Sequence, residues 1–75
     1  MKLSDRIRRW RESRDPRVSK AELARRVGVS PEAVLQWEQG KTQPTHDNIE
    51  LIAEALELTL AGFWGDPPPV RKRAA

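Results

Sequence analysis

The run A-E-L-A-R-R-V-G-V-S-P-E-A-V-L-Q-W-E-Q-G-K, residues 21–41, constrains the fold of this chain more than any other stretch. Leu23, Ala24 and Val27 form an apolar stripe at helical spacing. Gly28 closes it, because a glycine just past a helix end accepts the left-handed backbone that other residues resist. Ser30-Pro31 then starts a second helix. The hydroxyl caps free N–H groups, and proline fits the first helical position. Val34 and Trp37 carry the apolar side of that helix, and Gly40 ends it. Isolated helices shorter than roughly 12–15 residues are marginal in water. Two such helices, joined only through Gly28, Val29 and Ser30, must share a core supplied by the rest of the chain. The polar face of the second is then left for a partner.

The remaining chain reads as helices that supply that core. Leu3, Ile7 and Trp10 fall at i, i+4 and i+7 of a first helix, with Asp5 in the first turn where the helix dipole favours an acid. Arg6, Arg8, Arg9, Arg11 and Arg14 occupy its other faces and read as a solvated surface, or, for one or two of them, as phosphate contacts. Asp5 with Arg9 and Arg8 with Glu12 have ion-pair spacing. Asp15-Pro16 breaks this helix. Ser19 and Glu22 have capping-box spacing, and Val18 with Leu23 can form a hydrophobic staple, so helix two starts at Lys20. Thr45 caps a fourth helix with Asp47 in its first turn and a stripe of Ile49, Ile52, Ala53 and Leu56, widened by Leu51 and Ala55. Thr59 caps a short fifth helix carrying Leu60, Phe63 and Trp64, which Gly65 ends. Residues 1–65 thus make one small domain, all that 75 residues allow. Residues 66–75 form a Pro-rich tail with the basic cluster Arg71-Lys72-Arg73, expected to be disordered, the other reading being a nucleic-acid arm.

Composition narrows the function. Cysteine is absent and histidine occurs once, which excludes a disulfide, a thiol nucleophile and a Cys/His zinc site. No paired carboxylates, nucleophile–base set or Gly-rich phosphate loop stands out, so no enzyme, no cofactor and no small-molecule ligand are expected. The sequence has no apolar run of membrane-spanning length and no leader pattern, and a cytoplasmic protein is expected. A net charge of +3 and a pI near 10.0 lean only weakly towards polyanions.

The run S-K-A-E-L-A-R-R-V-G-V-S-P-E-A-V-L-Q-W-E-Q-G-K, followed by P-T and I-x-x-I-A-x-A-L, resembles the Cro/C1-type (xenobiotic-response-element-like) helix-turn-helix family over residues 7–64. L-A-x-x-x-G-V-S and W-E-x-G, at the expected separation, are its most specific pieces. The resemblance implies an all-α, five-helix lambda-repressor-like domain that puts helix three in the DNA major groove. It implies a sequence-specific regulator of transcription, in the first place a repressor that binds a palindromic operator of double-stranded DNA as a homodimer, and thus a nucleoid-associated protein when bound.

By position, the base readers would be Ser30, Pro31, Glu32, Leu35 and Gln36. Gln36 suits a bidentate contact to adenine, and Leu35 suits a thymine methyl. Glu32 either accepts from a cytosine amino group or serves the helix dipole. Pro31 offers only apolar or backbone contact. Many members carry Gln, Arg, Ser or Thr where this chain has Pro31 and Glu32. Lys20 (where many members carry Gln), Lys41, Thr42, Arg17 and Arg26 would meet phosphates. The loop at 15–18 is about two residues longer than in compact members, which displaces Arg17. Arg11 and Glu38 match a structural ion pair, and Trp64 with Leu58 a dimer interface, the other reading of Trp64 being a ring folded back over a small core. The rival to DNA binding is a protein-interaction role, as an antitoxin-like member of a pair or a module that binds polymerase or another regulator.

Overall fold

The computed structural model describes residues 1–68 and contains five helices: α1 (Leu3–Ser13), α2 (Lys20–Val27), α3 (Pro31–Gln39), α4 (His46–Ala55) and α5 (Leu60–Trp64). Among the described residues there is no strand. The basic cluster Arg71-Lys72-Arg73 lies outside them.

Four helices start as their sequences dictate. Ser19, Ser30, Thr45 and Thr59 each accept a hydrogen bond from the backbone N–H three residues on, at 2.9–3.2 Å. Such a cap contributes about 1 kcal/mol. The Glu22 carboxylate does not complete a capping box, however. It turns instead to Arg25 and Arg26 on its own helix.

Three helices end in the same way. The N–H of Val29 reaches back to the Ala24 carbonyl, that of Lys41 to Gln36 and that of Leu58 to Ala53. Each bond closes over one left-handed residue, and at the first two ends that residue is Gly28 or Gly40, at φ +89° and +74°. At the third it is Glu57, at φ +60°, where no glycine announces the turn.

The core collects Ile7 and Trp10 from α1, Leu23, Ala24 and Val27 from α2, Val34 and Trp37 from α3, Ile49, Ile52 and Ala53 from α4, with Leu56 behind it, and Phe63 from α5. Full burial of one such large apolar side chain stabilises by about 1.5–3 kcal/mol. Because α2 packs on both α3 and α4 while α1 packs on α3, the two short central helices are held from several sides. Leu51, expected to widen the α4 stripe, is 41% exposed, since Ile49, Ile52 and Ala53 make up the buried side of α4 and leave it outside.

The arginines of α1 depart furthest from expectation. Arg6 is buried and donates to the carbonyls of Phe63 and Gly65, with its guanidinium 5.7 Å from the centre of the Trp64 ring. Trp10 donates its indole N–H to the same Phe63 carbonyl at 3.0 Å. Arg14 stacks over Trp10 at 5.0 Å and donates to the Leu56 carbonyl. Helix ends leave carbonyls without intrahelical partners, and these side chains satisfy them. Arg6 and Arg14 are therefore ties to the ends of α5 and α4, not a solvated face. Asp5 pairs with Arg8 at 3.1 Å instead of Arg9, and no Arg8–Glu12 pair occurs among the described residues.

Candidate nucleic-acid interface

The first turn of α3 is presented to solvent: Pro31 and Glu32 are exposed, while Val34 and Trp37, one turn apart on the same helix, are buried. The apolar side fixes the rotation of α3 about its axis, and the opposite side is left facing out. Ser30, Pro31 and Glu32 are fully on that side; Leu35 and Gln36 lie half-buried at its margin. The five residues expected to read bases are thus brought to one end and one face of a single helix. Ser30 Oγ accepts from the Ala33 N–H at 3.2 Å. Its oxygen is occupied, which leaves the hydroxyl proton free to be donated. Glu32 stands in the first turn of α3, where its charge also meets the positive end of the helix dipole.

A rigid reading helix needs an anchor at its other end. Glu38 supplies it. The Arg11 guanidinium grips the Glu38 carboxylate through two bonds, Nε to Oε2 at 2.8 Å and Nη2 to Oε1 at 2.9 Å. The side chains are only 7% and 4% exposed. The third donor of Arg11 goes to the Val18 carbonyl at 3.0 Å, and the Val18 N–H returns to the Arg11 carbonyl at 3.2 Å. One guanidinium therefore ties α1, the loop before α2, and α3 together. The planar fork of arginine makes this geometry specific, as a lysine would not.

The expected phosphate contacts divide. Lys20 is exposed at the start of α2, and Lys41 and Thr42 are exposed just beyond Gly40, with Lys41 held in place by its N–H bond to the Gln36 carbonyl. Arg17 is exposed beside Val18, in the loop that Arg11 pins. Arg26 is different. It donates to Glu22 at 2.8 Å and to the Ala55 carbonyl at 2.8 Å, so it braces α2 against the end of α4. These two contacts hold Nε and Nη1 of its guanidinium. Its neighbour Arg25 also binds Glu22, and the two guanidiniums hold the Glu22 carboxyl below its ordinary range.

Trp64 is 49% exposed, its ring set edge-on to Phe63 at 5.3 Å and flanked by Arg6. Leu58 is half-buried against the core. The structural arginines Arg6 and Arg14 were legible in principle. Arg6 lies at i+3 from Leu3 and four residues before Trp10, and Arg14 lies four after it, so both share the buried stripe. Their charge argued for solvent, and only the carbonyl ends of α4 and α5 reverse that. Among the described residues, no group of His, Asp and Glu could hold a metal ion, and no helix is long and apolar enough to cross a membrane.

Two short helices joined through a left-handed glycine, the second rotated to show a polar face, define a helix-turn-helix domain of the lambda-repressor-like fold. The chain belongs to the helix-turn-helix family of the Cro/C1 type, whose model matches residues 7–63. It is similar to repressor protein C2 of Salmonella phage P22, with 34% identity over 57 residues, 76% of this chain and 26% of the relative. It is also similar to the cryptic phage CTXphi transcriptional repressor RstR of Vibrio cholerae, with 31% identity over 67 residues, 85% of this chain and 58% of that protein. The chain thus spans about a quarter of one curated relative and a little over half of the other. In three dimensions it resembles the solution structure of the DNA-binding domain of the P22 C2 repressor, with a TM-score of 0.74 and 30% identity over 84% of this chain and 80% of that one. It likewise resembles the crystal structure of the P22 c2 repressor in complex with a synthetic operator, with a TM-score of 0.71 and 30% identity over 84% and 92% of the two chains.

Proposed function

We propose that this chain is a sequence-specific double-stranded DNA-binding transcriptional repressor, with α3 lying in the major groove. The observation that carries the reading is the outward face of α3, Ser30 to Gln36, on a domain similar to one solved in complex with an operator. Residues 1–65 form the reading domain. Gln36 contacts adenine and Glu32 accepts from a cytosine amino group, with Leu35, Pro31 and Ser30 completing the base contacts. Lys20, Lys41, Thr42 and Arg17 meet phosphates, and supply most of the affinity and its steep fall with salt. The protein acts as a homodimer on an approximate palindrome, its half-sites about one helical turn, roughly 34 Å, apart. Trp64 and Leu58 lie at the dimer contact. It works inside the cell, bound to the nucleoid.

Selection of bound sequences from random duplexes tests this, repeated with Gln36→Ala. Loss of preference at one base position per half-site, with the others kept, is the expected result. An unchanged preference removes Gln36 from the reading set, and recovery of no preferred sequence by the parent protein overturns the function. A second reading, a protein-interaction module, is favoured by the half-exposed Trp64. That reading gains if binding to duplexes proves absent or insensitive to salt.

A further inference from the structure

A groove runs between the start of α1 and the end of α3. Lys2 and Ser4 line one wall; Gln39, Gly40, Thr42 and Gln43 line the other. The walls come close at Gly40, where a Cβ would stand 4.0 Å from Ser4 Oγ. No carboxylate lines this groove, although the chain carries 11 acidic residues against 14 basic ones. Trp37 lines it too and is 5% exposed. Trp10, the other core tryptophan, donates its indole N–H to Phe63. The Trp37 indole N–H has no acceptor among the described residues. It is not sealed from solvent either, because the buried side-chain nitrogen without a partner is Arg14 Nε. Water can satisfy that N–H, and an acceptor seated in the groove can take the water's place.

We propose that this groove seats a DNA backbone phosphate, with the Trp37 indole N–H as the directional donor, Lys2 as the charge and the Thr42 hydroxyl as a second donor. The inference rests on the DNA-binding reading above. A phosphate brings only acceptor oxygens, and the groove answers with donors and no opposing carboxylate. Thr42 belongs to both the groove and the phosphate contacts that follow α3. The contact line therefore continues from the end of α3 to the start of α1, and adds a cation, Lys2, that the recognition helix cannot supply.

The test uses a duplex recovered in the selection, titrated with the full chain and with Lys2→Gln between 50 and 200 mM salt. Melting of the variant as for the parent shows that the fold is kept. Loss of one phosphate contact lowers the salt slope by about 0.9 per bound chain, so this fourfold rise in salt weakens the variant less than the parent by about 3.5-fold for each bound chain, or about 12-fold for a dimer. Base preferences stay the same. A scan of single methylphosphonates along the duplex then locates a phosphate whose neutralisation weakens the parent but not Lys2→Gln. In a two-dimensional NMR titration the Trp37 indole proton moves on adding duplex and that of Trp10 does not. A parent that binds with an unchanged slope in Lys2→Gln and an unmoved Trp37 indole overturns the groove alone. A parent with no salt-dependent affinity for any duplex overturns the DNA-binding reading as well.

Discussion

Replacing Glu38 by alanine removes one half of the clasp that joins α1 to α3 and leaves the Arg11 guanidinium buried. The magnitude follows from the surroundings. Both side chains are more than nine-tenths buried, and the lost contacts are two charge-assisted bonds of 2.8 and 2.9 Å. Arg11 keeps only the Val18 carbonyl. Breaking a buried pair from one side costs about 3–5 kcal/mol, far above the ~0–1 kcal/mol of an exposed pair such as Asp5–Arg8. A chain of 75 residues has a total stability of roughly 4–11 kcal/mol, so Glu38→Ala removes a large share of it. Urea denaturation followed by far-ultraviolet circular dichroism measures this, with Asp5→Ala as the exposed control. Adding Arg11→Met removes the stranded charge. The double variant then loses the bond to the Val18 carbonyl, costing about 1–3 kcal/mol, and is more stable than Glu38→Ala alone. A Glu38→Ala cost no larger than that of Asp5→Ala would refute the reasoning. So would a double variant whose cost equals the sum of the two single ones, because the residues would then act independently.

Glu57→Gly relieves a left-handed residue at the end of α4 and is expected to raise stability by about 0.5–1 kcal/mol, read as a higher urea midpoint; a lower midpoint counts against the strain. The Glu22 carboxyl is held below its ordinary range by Arg25 and then Arg26. Its contribution is fully present above the unfolded carboxyl's pKa and is lost as pH falls through the lower folded value. A Glu22→Gln variant should therefore show a shallower loss of melting temperature on acidification, and an identical acid limb would show that these contacts do not matter. Trp64→Ala is expected to shift sedimentation towards monomer, while loss of its contacts with Phe63 and Arg6 costs the monomeric domain about 0.5–1.5 kcal/mol; an unchanged dimer would remove Trp64 from the interface.

The capping residues and glycines made most of the helical framework legible. Ser19, Ser30, Thr45 and Thr59 act on backbone three residues away, and Gly28 and Gly40 act within their own turn. Such signals are local, so sequence suffices to read them. Glu57 shows the limit. The turn it makes has the same closing hydrogen bond as the two glycine turns but no residue that prefers it. There the docking of Leu56 and Leu58 on the core imposes the backbone. Within the candidate site, the apolar spacing of Val34 and Trp37 sufficed to show which residues of α3 face outward. It did not show that Arg26 is committed to the Ala55 carbonyl, because that partner is 29 residues away.

The sequence by itself determined the number of helices, their caps, the turn between α2 and α3 and the exposed face of α3. These follow from periodicities and backbone preferences that span a few residues. The family resemblance also pointed to the Arg11–Glu38 pair, which the structure contains. Only the tertiary structure decided what Arg6 and Arg14 are for: one binds the end of α5 and the other the end of α4. A long flexible cation takes its role from whichever carbonyl or carboxylate the packing places within reach. Spacing puts Arg6 and Arg14 on the buried stripe of α1, but the carbonyl each one reaches belongs to a distant part of the chain, which spacing does not identify.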